Sequence, residues 1–384
     1  MDRVHTNRGS RAGLGRLLSI VGQLVRRSVL VCVIFSGILA FVKRSTRKIQ
    51  DHLMSKVSIL IPAYNAERFV GAALQSALDQ TWDDTEIIVV DDGSKDQTYT
   101  VTKRYESAKL KVLRQENRGA AAARNTALRQ AQGDFLQYID ADDLLSPDKI
   151  REQVLLLQQH PGYVSVSSAM YFFDGEDPKA GLLERSGALD SDDPVEFLAQ
   201  LLGSEGPTRT IPYGAWLTPR AVADAAGPWD DTVRSPDDDG EYFSRVLLAG
   251  QGIRASHAGC YYYRKFRHGG SYSTTHSESN LRGRLHSLKS KSAHLLARTQ
   301  DAKAYRALAN RYMDLAFIAY PDFPHVTNEA LRKAHEMGGT DYIPPLGTWK
   351  GNALKKLLGW KAARRLNATY HRILHRVRAL GTRA

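Results

Sequence analysis

From Lys56 onward the chain alternates unbroken apolar runs with stretches whose apolar residues recur every three or four positions. In "VSILI" (Val57 to Ile61), apolar and β-branched residues run together with no alternating polar face, which reads as a strand buried on both sides. Pro62 ends that run, and Asn65 is placed to cap a helix in which Phe69, Val70, Ala73, Leu74, Ala77 and Leu78 share one face. "EIIVV" (Glu86 to Val90) predicts a second buried strand, closed by Asp91, Asp92 and Gly93. A helix over about 96–108, the strand "KVLRQ", the Ala-rich helix of "RGAAAARNTALRQA" and the strand of "DFLQYI" follow. Strands and helices in this alternation require right-handed crossovers, and predict an α/β fold with a doubly wound, mostly parallel sheet of the nucleotide-binding type.

Beyond Asp148 the pattern loosens. A helix over 147–159, the strand "YVSVSSAMYFF", a polar surface loop over 174–194, a further strand and short helix in "IPYGAWLTPRAVADAAG" and an acid-led helix in "SPDDDGEYFSRVLLAG" are expected. From about Glu278 to Glu336 the reading is helical, with Leu281, Leu285 and Leu288 on one stripe and Leu308, Tyr312, Leu315 and Ile318 on another. The expected organisation is a basic N-terminal segment over 1–53, an α/β domain over 54–275 and a helical region over 276–384.

Charge changes the reading of the two ends. The net +12 divides into +8 over residues 1–53, +10 over 342–384 and −6 between them, so the basic character does not belong to the middle of the chain. At the N-terminal end, Ser28 to Val42 is 15 residues without a charge, bracketed by Arg26, Arg27, Lys43 and Arg44. A spanning helix needs about 20. The segment is therefore either a short or interfacial anchor, or part of an extension translated from the wrong start, with Met54 opening the globular chain. At the other end Leu354, Leu357, Leu358, Leu366, Tyr370, Ile373, Leu374 and Val377 fall at helical spacing among Lys and Arg, with Trp349 and Trp360. That pattern suits a membrane interface, or a helix packed on its own domain with a solvated basic face. Apolar residues between the charges favour a membrane surface over nucleic acid as partner. The two cysteines, Cys32 and Cys260, are far apart in apolar contexts, so no disulfide framework is expected.

In a sheet of this kind the ligand crevice lies beyond the carboxyl ends of the strands. Read together, those ends bring Pro62, Ala63, Tyr64, Asn65 and Glu67, then Asp91 and Asp92, then Asp140, Asp142 and Asp143 to one rim. Asp140 and Asp142, two positions apart, suit a hard divalent cation, Mg²⁺ or Mn²⁺. The competing reading is a helix cap by Asp143 or Ser146, the other acids being solvated. Asp91 and Asp92 offer acceptors for a base imide or a ribose hydroxyl, or else an Asp-Gly turn satisfied by itself. Arg118 and Arg124, with Asn125 beside them, lie near the same rim, where arginine pairs with phosphate. Asp237, Asp238 and Asp239 supply either a general base for an attacking hydroxyl or acids favouring a helix dipole. Arg264, Arg267 and His268 are candidates for pyrophosphate contact, His268 also for a third metal ligand.

The segments "VSILIPAYNAERFVGAALQSALDQTW", "EIIVVDDGSKDQT", "NRGAAAARNTAL" and "GDFLQYIDADD", in this order and spacing, resemble the family 2 glycosyltransferases with the GT-A fold. The resemblance covers about Val57 to Ser271. It implies an inverting, hexosyltransferase-type enzyme with a nucleotide-diphosphate sugar as donor and a polysaccharide, lipid-linked or cell-surface glycan as acceptor. Asp92 would contact the base, Asp140 and Asp142 would form the metal-binding acidic motif, and a later carboxylate would act as base. The family's Glu-Asp pair six residues before a helix arginine becomes Asp238-Asp239 when counted back from Arg245. Asp239 is the expected base and Asp238 the alternative. A lipid-linked acceptor would place the chain at the cytoplasmic face of a membrane, peripherally or through an N-terminal anchor. A nucleotidyltransferase or a nucleotide-binding membrane scaffold are the competing classes; the first lacks a Gly- and Arg-rich phosphate loop, the second leaves the acids at three strand ends unexplained.

Overall fold

Strand β1 (Val57–Ala63) sends Val57, Ile59 and Ile61 to one face of the sheet and Leu60 to the other, so the pleat sets up two cores. The computed structural model describes residues 55–175, 177–178, 182–184, 190–205, 207–266 and 277–381, the side chains of 182–184 and 371–381 excepted. The described residues from Lys56 onward belong to one compact unit. The Ser28 to Val42 segment, Arg267 and His268 lie outside the described residues.

Helix α1 (Val70–Leu78), strand β2 (Thr85–Asp91), helix α2 (Thr98–Lys103), strand β3 (Leu110–Arg114), helix α3 (Ala120–Gln130) and strand β4 (Phe135–Tyr138) follow in alternation. Pairings β1 with β2, β1 with β4 and β2 with β3 are all parallel, as the alternation requires. Pro62 does not end β1. It belongs to the strand and pairs with Val90. The β4 ladder stops at Leu60, and Pro62 shares Leu60's direction, so its missing N–H costs no sheet bond.

The second half of the sheet departs from the parallel pattern. The remaining elements are β5 (Leu144–Leu145), α4 (Lys149–Gln159), β6 (Val164–Phe173), β7 (Leu182–Glu184), α5 (Pro194–Leu201), β8 (Trp216–Pro219), α6 (Arg220–Ala226), α7 (Asp238–Ala249), β9 (Ile253–Lys265), α8 (Glu278–Leu296), α9 (Ala302–Ala319), α10 (Pro324–Glu336) and α11 (Trp349–Gly381). The strand order is β3-β2-β1-β4-β8-β6-β9-β5, with β7 on β6. Here β8 runs antiparallel to both β4 and β6, while β6 and β9 are parallel. The stretch read as a surface loop over 174–194 contains β7 and a bridge from Ser191 to Ile253.

One core lies under α1 and α4, where Val70, Leu74, Ile150, Val154 and Leu157 meet the odd positions of β1. The other starts at Leu60 and Val90, passes through Trp216, Trp229, Tyr242 and Phe243, and continues to Leu281, Leu285, Leu308 and Tyr312 of the C-terminal helices. Trp229 is its hinge: it stacks on Tyr242 at 4.1 Å and meets the edge of Tyr138 at 5.1 Å. Replacing Trp229 with alanine is expected to cost about 3–5 kcal/mol in urea or thermal unfolding; a loss under about 1 kcal/mol would mean that the sheet and the helices do not share a core.

Helix α11 bends at Gly359, whose φ is 76°. Past the bend Trp360 packs on Phe317 and Tyr320 of the α9 end, and Ala363 is fully buried. The expected apolar stripe splits: Trp349, Leu357, Leu358, Leu366 and Tyr370 are exposed, while Trp360 and Ala363 face the protein. Among the described residues no helix is long and apolar enough to cross a membrane.

Candidate active site

Three loops at the carboxyl ends of β1, β2 and β4 form the rim, joined by the start of α7. Asn65 does not cap α1, whose first residue is preceded by Phe69 without a side-chain cap. With a left-handed φ of 48°, Asn65 instead accepts the Lys95 N–H at 2.9 Å, while its own N–H donates to Ser94 Oγ at 3.0 Å. Glu67 accepts the Gln97 N–H at 2.8 Å. Both side chains therefore brace the β1 loop against the β2 loop. Tyr64 stands exposed beside them, and Pro62 and Ala63 remain buried in the strand.

Asp92 accepts from the N–H groups of Arg118 (2.9 Å) and Gly119 (2.8 Å) and from Gln115 Nε2 (2.7 Å). It thereby satisfies the start of α3 from another loop. Gly93 makes the approach possible: its φ is 73°, and a Cβ there would stand 2.8 Å from Asn117 N. Asp91 is fully buried, and Arg114 Nε lies 3.1 Å from one of its oxygens. Neither oxygen of Asp91 has a hydrogen-bond partner among the described residues. Arg118 is largely exposed on the rim, 3.9 Å from Asp231. Asn125 points elsewhere, bonding the backbone N–H and C=O of Trp229 at 2.9 Å each.

Asp140, Asp142 and Asp143 bring their carboxylate oxygens within 4.8 Å of one another, but they do not share one role. The competing reading has Asp143 or Ser146 capping the next helix. Asp143 is instead buried, accepting from the Tyr261 hydroxyl and from the Arg264 N–H at 2.7 Å. Nor does Ser146 cap α4: its hydroxyl accepts the Cys260 N–H at 2.7 Å. Burial, then the charges of Asp142 and Asp140, push the Asp143 carboxyl well above the usual range. Asp140 accepts from the Tyr213 hydroxyl and keeps a side chain 34% exposed to the crevice. Asp142 is pushed up to about 7 by burial and then by Asp140. Two partly exposed carboxylates, of which Asp140 raises the cost of ionising Asp142, fit a divalent cation, which would remove that repulsion. Their all-oxygen donor set suits Mg²⁺ or Mn²⁺.

Arg124 connects this cluster to the next. Its side chain, 5% exposed, reaches Asp238 at 2.9 Å and Asp140 at 3.7 Å. It lies over the rings of Trp229 and Tyr213, 4.4 and 4.7 Å from their centroids. Asp238 is thus held by an arginine. Its neighbour Asp239 accepts only from the backbone N–H of Gly240, at 2.8 Å, among the bonds described. Burial, followed by Asp238 and Asp237, pushes the Asp239 carboxyl up to about 7. Glu241 pairs with Arg245 through both oxygens, at 2.7 and 2.8 Å, and Arg245 also donates to the carbonyls of Ala226 and Pro228. That clamp fixes the first turn of α7 to the loop carrying Trp229. Tyr213, Trp229 and Arg264 were not singled out for these tasks by sequence. Their aromatic or basic character was visible, but their partners lie 73 to 122 positions away.

A parallel nucleotide-binding half-sheet joined to a mixed one, with acids at the strand ends and a C-terminal helical region, defines the GT-A class of glycosyltransferase folds. Residues 58–211, less than half of the chain, match the model of Glycosyl transferase family 2. An uncharacterized glycosyltransferase of Haemophilus influenzae is 32% identical over 162 residues, which are 41% of this chain and 62% of that protein. The Escherichia coli UDP-Glc:alpha-D-GlcNAc-diphosphoundecaprenol beta-1,3-glucosyltransferase WfgD is 39% identical over 102 residues, 26% of this chain and 40% of that one. These matches span less than two thirds of either relative. S. aureus TarS 1-349, in complex with UDP-GlcNAc, has the same fold: the TM-score is 0.60 at 17% identity, over 83% of this chain and 92% of that one.

Proposed function

We propose that the chain transfers a sugar from a nucleotide-diphosphate sugar to a hydroxyl of a glycan or lipid-linked acceptor, with inversion. The observation that carries this reading is the division of carboxylates across Arg124. Arg124 reaches Asp140 on the strand side and Asp238 on α7, and Asp239 follows Asp238 in the first turn of α7, buried and held near a pKa of about 7. The nucleotide would lie on the loops after β1 and β2. Tyr64 offers an exposed ring face there, while Asp91, paired with Arg114, and Asp92 and Asn65 hold the loops in shape. The relative named for UDP-Glc supports a nucleotide sugar as donor.

A divalent cation held by Asp142 and Asp140 would neutralise charge on the departing diphosphate. Asp239 takes the proton of the attacking hydroxyl. That oxygen bonds to the anomeric carbon as the bond from carbon to diphosphate oxygen breaks, and the electron pair leaves with the nucleoside diphosphate. Entry and departure on opposite faces give inversion. Arg124 holds Asp238 in an ion pair and off the acceptor, leaving Asp239 to act. Peripheral association with the cytoplasmic face of a membrane belongs to the same reading, supported by the exposed Trp349, Leu357 and Leu366 among the lysines and arginines of α11.

A base must be ionised to accept a proton, so activity should rise with pH through the Asp239 value of about 7. At saturating metal, which keeps Asp142 and Asp140 ionised, transfer is expected to increase about tenfold per pH unit on the acid side and then level off. A profile flat between about pH 5 and about pH 8 would remove Asp239 from this role.

A further inference from the structure

The first residue of α4 is a lysine with no access to solvent. Strand β9 passes directly over it: a Cβ at Gly259 would stand 2.5 Å from the Lys149 Cα. Burial pushes the Lys149 amine well below its ordinary value, which lets it stay there without a counter-charge. Its side-chain partners are two amide oxygens, Gln137 Oε1 at 2.5 Å and Gln153 Oε1 at 2.6 Å. Both glutamines are fully buried as well. Their NH₂ groups face other acceptors. Gln137 donates to the carbonyls of Tyr138 (2.6 Å) and Gly214 (2.8 Å), and Gln153 to the carbonyl of Ala215 (3.0 Å) and to Ser165 Oγ (3.3 Å). An amide that turns its NH₂ to these acceptors turns its oxygen the other way. Two oxygens therefore converge inside the protein, and a buried donor between them satisfies both. A methionine could fill that space, but both oxygens would be left unmet.

The carbonyls held in this way lead to the cation side of the crevice. Tyr138 is already fixed by the ladder of β4 with β1, so what the network adds is a hold on Gly214 and Ala215. These two residues complete the single helical turn begun by Tyr213. The Tyr213 hydroxyl donates to Asp140, and its ring carries the Arg124 guanidinium at 4.7 Å. The turn is also closely backed, since a Cβ at Gly214 would run into the Tyr261 ring. Resting on the metal-assisted transfer proposed above, we propose that Lys149 is a positioning residue for the cation site: through Gln137 and Gln153 it fixes the 213–215 turn, and through the Tyr213 hydroxyl it sets the direction of the Asp140 carboxylate. Its own side-chain bonds, among those described, go to none of the three acids. Loss of an outer partner of this kind typically weakens metal binding about ten- to a hundredfold.

The test is a double-substitution cycle on the full chain. Affinity for Mn²⁺ alone is read from the free-ion electron paramagnetic resonance signal at about pH 8, where the site acids are ionised, and near-ultraviolet circular dichroism reports the fold. Lys149→Met and Tyr213→Phe are each expected to weaken Mn²⁺ binding about tenfold. The double variant should lose about the same tenfold, because both changes cut one path. A lysine that only supports the fold gives another result: Mn²⁺ affinity unchanged in folded Lys149→Met, or a double variant about a hundredfold weaker, the two losses adding independently. Either would overturn the proposal. Should Lys149→Met fail to fold, Gln153→Met takes its place in the cycle, and it must weaken Mn²⁺ binding in the wild type but not in the Tyr213→Phe background. Absence of Mn²⁺ binding by the wild type would count against the cation reading of Asp140 and Asp142, and the proposal would fall with it. Equal binding by the wild type and Lys149→Met would remove the role of Lys149 alone.

Discussion

Replacing Asp239 with asparagine is expected to lower sugar transfer by about a hundred- to ten-thousand-fold, the usual worth of a positioned general base. Donor binding should survive, because Asp239 is carried by α7 and is not one of the three carboxylates grouped after β4. The fold should survive too. Asparagine retains an acceptor for the Gly240 N–H and removes a carboxylate that burial already penalises. The matching change at Asp238 separates the two acids. Asp238→Asn weakens the anchor of Arg124, so it should disturb donor and acceptor sides together and change the Michaelis constants as well as the turnover. A full loss of turnover in Asp238→Asn with near-normal transfer in Asp239→Asn would exchange their roles.

The second large effect is expected at Asp142. Asp142→Ala should abolish turnover stimulated by Mg²⁺ or Mn²⁺, a loss of about a thousandfold if the cation supplies several kcal/mol to the departing charge. Its stability should move the other way. The Asp142 carboxyl sits near 7 in the folded chain against an ordinary 3.8. Between those two values the unfolded chain has released the proton and the folded chain has kept it, so stability falls as pH rises, and above about 7 the whole penalty stands. Without added metal, Asp142→Ala should therefore be more stable than the wild type at about pH 8 and little changed at about pH 4. Adding Mn²⁺ should raise the melting temperature of the wild type at the higher pH and leave the variant where it was. A variant that is inactive but also unfolded at both pH values would leave a structural role in place of the metal site.

The parallel half of the sheet was legible because β1, β2 and β4 are buried on both sides, so they appear as mostly apolar runs ending near acids or proline. The antiparallel half was not. β6, β8 and β9 have mixed faces, and their order depends on which strand crosses the sheet, which short-range pattern does not encode. The rim itself was legible as a set of strand ends, and the division of labour within it was not. Asp143 reads locally as a cap because acids before a helix usually are; its partners Tyr261 and Arg264 come from β9, 118 and 121 positions later. Asn125 sits beside Arg124 in sequence, but one turn position sends Arg124 to Asp238 and Asn125 into the backbone of Trp229. Asn65 has a residue type that caps helices and also tolerates a left-handed φ, and here the second property is the one used. The C-terminal helix was the clearest of the distant features, since its 3.6-residue period needs no partner to be seen. Which side packs was decided by Trp360 and Ala363, not by the leucines.

The measurement that bears most directly on the transferase reading is release of nucleoside diphosphate from a panel of nucleotide sugars by the full chain, with and without Mg²⁺ or Mn²⁺. The expected result is consumption of at least one sugar nucleotide that requires the cation and disappears in Asp142→Ala, with acceptor-dependent transfer lost in Asp239→Asn. No consumption of any sugar nucleotide by the wild type, or equal consumption by the wild type and both variants, would contradict it.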